Sequence, residues 1–149
     1  MGLFGALYTS ASGLTAQRLR MDLIAGNLAN AETTRTAQGG PYQRRVAVLA
    51  ERAPSFAGAL QGALGSGVPG ASDEAGVAVV GIAADPSPPR LRYDPTHPDA
   101  DAQGYVRLPN VDTVSEMVDL ISASRAYEAN ATAITDFKNM VRRALDIGR

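Results

Sequence analysis

Residues 110–149, NVDTVSEMVDLISASRAYEANATAITDFKNMVRRALDIGR, decide the fold. The stretch contains no proline, and its only glycine, Gly148, stands one residue before the end. Nothing inside it interrupts a helix. Steps of three and four residues trace a stripe through Met117, Leu120, Ser124, Tyr127, Ala131, Ile134, Lys138, Val141 and Leu145. A neighbouring stripe runs through Ala123, Ala126, Asn130, Ala133, Phe137, Met140, Ala144 and Ile147. A spacing of about 3.5 residues is the coiled-coil period, and two adjacent stripes require more than one partner surface. Asn130 either fixes the register of such a pairing or faces solvent. Thr113 followed by Glu116 fits a capping box, with Asp112 competing for the N-cap position. Acidic Asp112, Glu116 and Asp119 near the start and basic Lys138, Arg142 and Arg143 near the end complement the helix dipole. At about 1.5 Å per residue the helix would run roughly 50 Å, too long for a small domain to cover. It reads as one half of an assembly.

The N-terminus repeats the spacing at Phe4, Leu7, Ala11, Leu14, Arg18, Met21, Ala25 and Leu28. Both ends of the chain therefore carry coiled-coil-like stripes, and the middle does not. The expected fold is mainly α with a small β insertion, the N- and C-terminal helices pairing as an antiparallel coiled coil. Residues 1–30 with 110–149 would form the helical domain, and residues 31–109 a β-rich insertion with a flexible loop at 53–76. The few large apolar side chains of the first stripe are weak support for the entropy cost of ordering a helix of this length. Both termini are thus expected to be mobile in an isolated monomer and to order on assembly. A self-sufficient helical hairpin is the alternative. Gly5, Gly13 and Gly26 count against it, each costing about 1 kcal/mol relative to Ala in a helix interior.

The composition narrows the function. With 149 residues the chain is about one domain's worth, and its net charge of −1 provides no general attraction to nucleic acid or anionic membrane. It has no cysteine, which excludes disulfides, thiolate metal sites and cysteine nucleophiles. No basic residue precedes Arg18, as a secretory signal would require, and polar Thr9, Ser10, Ser12, Thr15 and Gln17 spoil a membrane span. Position 6 is Ala, which removes the myristoylation pattern.

In the middle, residues 42–51 alternate as a strand, with Arg45, Ala47 and Leu49 on one face and Arg44, Val46 and Val48 on the other. Residues 77–83 form a β-branched run, and 90–93 and 104–108 are short strand candidates, together an antiparallel unit. Phe56, Leu60 and Leu64 predict one or two helical turns from Ser55, and Gly65 to Gly76 reads as a loop. His97 is the only histidine; its setting, Asp94-Pro95-Thr96-His97-Pro98-Asp99-Ala100-Asp101, reads as a turn capped by Asp side chains rather than as a metal or acid/base cluster. A calcium loop starting at Asp99 would place Asn110 where a bidentate Glu is needed. Arg44, Arg45, Arg90 and Arg92 read as solvated strand faces, since no interleaved aromatics accompany them. Asn27 and Asn30 read as local helix-exit residues. No catalytic residue, cofactor or metal site is assigned.

The run Asn27-Leu28-Ala29-Asn30 resembles the Asn-x-Ala-Asn core of the N-terminal signature of the flagellar axial family, the rod and hook proteins. Gly26 departs from the Asn often found there. Further segments narrow the resemblance to basal-body rod proteins: Gly39 to Arg45, Asp85 to Pro89, Tyr93 to Asp101, and the long run from Gly104 through Glu116-Met117-Val118-Asp119 to Asn130. Residues 53–75 do not contribute. The resemblance implies a structural subunit of the tubular drive shaft, exported by the flagellar type III apparatus without signal cleavage and located in the periplasmic part of the basal body. Implied partners are other copies of the chain, other rod proteins and the export-gate or base-adaptor end of the rod, with no nucleic acid, small-molecule substrate or membrane insertion. Expected subunit-interface residues are Phe4, Leu7, Ala11, Leu14, Met21, Leu28, Met117, Leu120, Tyr127, Ile134, Phe137, Met140, Val141 and Leu145, and the family motif is Asn27, Ala29 and Asn30. The rival readings are another axial protein, such as a hook component, and a wall-clearing enzyme, which would need a clustered catalytic pair.

Overall fold

The computed structural model describes residues 3–52 and 76–148. The expected helical turns from Ser55, most of the loop at 53–76 and the Phe4 side chain lie outside the described residues. The element order is α1 (Leu3–Ala29), β1 (Arg45–Glu51), β2 (Val77–Ala84), β3 (Arg90–Tyr93), β4 (Tyr105–Leu108) and α2 (Thr113–Ile147). Two long terminal helices pack together and two small antiparallel sheets, β1–β2 and β3–β4, lie between them in sequence. This is the expected mainly helical fold with a small β unit. The chain divides into two compact units, Met1–Arg18 with Leu49–Val80 and Arg125–Arg149, and Leu19–Val48 with Gly81–Ser124. Each unit takes part of both helices and part of β1 and β2.

Among the described residues, the second unit holds most of the buried side chains. Strand β3 pairs with β4 in the register Arg90 to Leu108, Leu91 to Arg107, Arg92 to Val106 and Tyr93 to Tyr105. Side chains alternate across a strand, so Val106 and Leu108 are buried while Tyr105 and Arg107 are exposed. Tyr93 and Tyr105 meet edge to face at 5.4 Å. Gly104 makes this hairpin possible: its φ is +81°, and a Cβ there would come within 2.9 Å of Tyr93 Cε2. The connecting loop is a series of Asp-centred turns. Asp94 Oδ1 accepts from the Thr96 N–H and hydroxyl, and Asp101 Oδ1 accepts from the N–H groups of Gln103 and Tyr105. His97 Nδ1 accepts from the Asp99 N–H within the same turn.

After β4 the chain passes through buried Pro109 and Val111 into α2. Asp112 is the N-cap, its carboxylate accepting from the Val114 N–H and the Ser115 hydroxyl. The Thr113–Glu116 capping box does not form, because the Glu116 side chain turns inward to bond Arg44 and Asn27. The exit of α1 is built by Asn30, whose amide donates to Gly26 O while its oxygen accepts from the Thr33 hydroxyl. Within this unit Arg20 meets Asp119 and Asn27 meets Glu116, so the helices run antiparallel.

In the first unit Gly13 of α1 faces Asn130 of α2, and a Cβ on Gly13 would sit 3.1 Å from Asn130 Nδ2. Asn130 is half-buried against Gly13, and its amide donates to Ala126 O of its own helix. Ser12 Oγ accepts the Val77 N–H at the start of β2, and the Arg52 guanidinium lies 5.0 Å over the Tyr8 ring.

The faces that pair differ from the stripes read in the sequence. The fully buried positions of α1 are Ala16, Ile24 and Asn27, whereas Ala11, Arg18 and Ala25 of the predicted stripe are exposed. At about 100° per residue the predicted stripe lies roughly a third of a turn round α1 from its contact face, which leaves Leu7, Leu14, Met21 and Leu28 half-buried. On α2 the contact face takes Ala123, Asn130 and Phe137 from one predicted stripe and Leu120, Ile134 and Val141 from the other, with Glu116 at its head. The α1 stripe thus keeps its period and shifts in phase, while on α2 the contact face straddles the two expected stripes; small Gly13 and polar Glu116 occupy contact positions that an apolar search passes over.

Candidate functional site

A buried polar joint lies in the second unit, where the end of α1, the start of β1, the end of β2 and the start of α2 converge. Asn27 is 1% exposed and all four of its hydrogen-bonding capacities are filled. Its amide nitrogen donates to Arg45 O at 2.9 Å and to Glu116 Oε2 at 3.1 Å. Its oxygen accepts from the Arg45 N–H at 2.9 Å and from the Tyr42 hydroxyl at 3.0 Å. The carboxamide thereby pairs with both backbone groups of one β1 residue, as a neighbouring strand would. Tyr42 is held for this by its own N–H, which donates to Thr33 O, and by the Arg45 guanidinium 5.8 Å over its ring.

Glu116, also 1% exposed, takes its second partner from Arg44, whose Nε lies 2.6 Å from Oε1. The same guanidinium reaches Asp85 and Asp119, each at 3.5 Å, and Asp119 pairs again with Arg20 at 3.3 Å. One planar cation thus gathers three carboxylates from two elements. The Arg44 pKa is raised, chiefly by its bond to Glu116. The Asp85 carboxyl is held below the usual carboxylate range, first by the Ser87 hydroxyl and N–H and then by Arg44. The expectation that Arg44 belongs to a solvated strand face is corrected here: it is the ionic centre of the joint.

Asn110 completes the site. Its oxygen accepts the Arg44 N–H, and its amide donates to Asp85 O and Ser87 O. The run Pro109-Asn110-Val111-Asp112 therefore supplies, in order, a buried ring, a staple across β1 and β2, a buried side chain and a helix cap.

The joint has the chemistry of a fastener. Its carboxylates are paired with arginine or held in turns, and among the described residues no group of three His, Cys, Asp or Glu side chains is placed to hold a metal. No described helix is long and apolar enough to cross a membrane. Of the expected contact residues, Leu7, Leu14, Met21, Leu28, Leu120, Ile134, Phe137 and Val141 are half-buried, while Ala11, Met117, Tyr127, Met140 and Leu145 are exposed. Within the motif, Asn27 enters the joint, Asn30 shapes the turn and Ala29 is exposed. The sequence reading missed Arg44, Asp85, Asn110 and Glu116 as partners. One signal was available: Glu116 stands seven residues before Ala123 and so heads the stripe that continues to Asn130 and Phe137.

Comparison with known proteins reaches the whole chain. A family model described as "Flagella basal body rod protein" matches residues 7–35, and one described as "Flagellar basal body rod FlgEFG protein C-terminal" matches residues 102–147. Those two matches cover much of both helices and the motif that supplies Asn27. The flagellar basal-body rod protein FlgC of Borreliella burgdorferi is 49% identical, covering 99% of this chain and 98% of the relative. The FlgC protein of Bacillus subtilis is 48% identical over the full length of both chains, and that of Escherichia coli O157:H7 is 37% identical over the full length of both.

Proposed function

Because this chain belongs to the FlgC family of flagellar basal-body rod proteins, we propose that it builds the proximal rod of the tubular drive shaft that carries motor torque to the hook. It is a structural subunit of the flagellar basal body and not an enzyme, and it assembles with other flagellar rod components. End-to-end similarity to FlgC proteins is the observation that carries the reading.

The function is mechanical. The helices of residues 1–30 and 110–149 act as the polymerising part, and residues 31–109 as the insertion outside it. Heterologous contacts, in which one face meets a different face on the next copy, extend such a lattice without closing it. Candidate contact positions are the apolar helix positions Leu7, Leu14, Met21, Leu28, Met117, Met140 and Leu145. Torque applied to the insertion reaches the helices through the Asn27–Arg44–Glu116 joint, a stiff and fully bonded route. Partners of the finer reading are further copies, other rod proteins and the export-gate or base-adaptor end of the rod. Its location is the periplasmic stretch of the basal body, reached by the flagellar type III apparatus without a cleaved signal.

A tagged copy expressed in a strain lacking the native chain should co-purify with basal bodies and restore swimming. Its absence from purified basal bodies would sink the reading. The outer parts of both helices are expected to order on assembly, and hydrogen exchange on a proven monomer should find Gly5 to Leu14 far less protected than Ile24 to Asn27. Equal protection would remove that element.

A further inference from the structure

Helix α2 is apolar on two opposite sides at its start. One side carries Leu120 and Ala123 toward the chain's own fold. The other carries Val114, Met117, Val118 and Ile121, which are 68%, 52%, 62% and 54% exposed. Their spacing of three, one and three residues puts them on one helix face over two turns. A helix with two apolar faces is built to lie between two partners, and the described residues supply only one.

We infer that this outward face is the seat for α1 of a second copy of the chain; the inference rests on the rod-subunit reading and names the partner surface within it. Two observations choose that occupant. The first is area. The patch offers on the order of 300 Å² of apolar surface, well short of the roughly 800 Å² per partner in a stable standard interface. It cannot hold a dimer by itself, so its occupant is a molecule already positioned by other contacts, as in a lattice of copies. The second is shape. The outward side of α1 in the same unit presents the exposed small residues Ala25 and Ala29 flanked by half-buried Met21 and Leu28. Next to them Gly26 leaves open space, with no atom beyond its own stretch of helix within 4 Å of where its Cβ would be. Bulky knobs on one helix and small-residue holes on the other are the complementarity that close helix packing requires. The two surfaces lie on different helices of one chain, so the contact is heterologous and propagates from copy to copy.

The absence of native cysteine makes a clean test available. Two differently tagged copies, one carrying V118C and the other A25C, are co-expressed in a strain lacking the native chain. Basal bodies are then purified and oxidised. An adduct of twice the chain mass bearing both tags is the expected product. An adduct of the V118C copy with itself or with a protein of another mass overturns the occupant, and free thiols in assembled rods overturn the contact. As a second readout, Ile121→Glu should keep the monomer's helix content and thermal midpoint yet fail to enter basal bodies. Normal incorporation of a folded Ile121→Glu chain overturns the inference. Absence of the unsubstituted tagged chain from basal bodies overturns the rod-subunit reading, and this contact with it, whereas its presence without the mixed adduct overturns this contact alone.

Discussion

The Asn27 carboxamide and the Glu116 carboxylate meet at 3.1 Å, fully buried, where the end of α1 crosses the start of α2. Both groups are satisfied only in this arrangement. The Asn27 nitrogen faces two acceptors and its oxygen faces two donors, so no other residue of the same size can replace it.

Asn27→Asp is therefore expected to cost more than Asn27→Ala. The carboxylate would face both Glu116 and Arg45 O, leaving acceptor against acceptor in a buried site. A loss of about 3–5 kcal/mol follows for a buried charge without a partner, against about 1–3 kcal/mol for the unmade bonds in Asn27→Ala. Urea unfolding of the purified monomer checks the order. The penalty in Asn27→Asp should shrink in acid, where a protonated Asp can donate.

Arg44 and Glu116 should be strongly coupled. A double-mutant cycle with Arg44→Met and Glu116→Gln is expected to give an interaction energy of about 1–3 kcal/mol, since Arg44→Met strands the buried Glu116 carboxylate and Glu116→Gln leaves Arg44 only its longer contacts to Asp85 and Asp119. Arg44→Lys should not restore the wild-type value, because an ammonium cannot serve Glu116, Asp85 and Asp119 from one plane. Additive effects of the two changes would refute the joint as a unit.

Two helical glycines should respond in opposite directions. Gly26 is not among the positive-φ glycines and its Cβ position is open, so Gly26→Ala should stabilise the monomer by about 0.5–1 kcal/mol through helix propensity and unfolded-state entropy. Gly13→Leu should act the other way in the assembled rod, where the outer part of α1 is ordered, because Asn130 atoms already stand 3.1–3.3 Å from where a Cβ would be. The monomer's thermal midpoint measures the first sign, and recovery of the variant in purified basal bodies the second.

Acid should weaken the fold through the aspartates. Asp101 is held below its ordinary carboxyl pKa of 3.8 mainly by the N–H groups of Tyr105 and Gln103, and Asp112 mainly by the Ser115 hydroxyl. The native state thus binds fewer protons than the unfolded chain near and below pH 3.8. That contribution is complete above 3.8 and disappears as pH falls through the depressed native values. The difference in urea midpoint between pH 7 and pH 3 should be smaller in Asp101→Asn than in the unsubstituted chain.

Much of the architecture was legible because helix and strand periods are local. The absence of proline from 110–147 and the β-branched run at 77–83 are enough to place α2 and β2 within a residue or so of Thr113–Ile147 and Val77–Ala84. The Asp-rich turn at 94–101 was legible for the same reason, since its bonds span two to four residues. The joint was not. Arg44 reaches Glu116 across 72 residues and Asn27 reaches it across 89, and no local pattern announces such a meeting. The phase of the helix pairing was also hidden, because Ala16 and Ile24 on the inward face of α1 alternate with Gly13, Arg20 and Asn27, residues seven apart that an apolar search passes over.

By itself, then, the sequence determined the elements, their order and the presence of two helices too rich in apolar faces for one chain. Its motifs also pointed to the flagellar rod. Only the tertiary structure decided which face of each helix turns inward, and it did so through a buried amide and a shared guanidinium. A polar group left unpaired in the interior costs more than an apolar side chain left half-exposed. Asn27 and Glu116 therefore set the rotation of the helices, and Val114, Met117, Val118 and Ile121 are what that choice leaves on the outside.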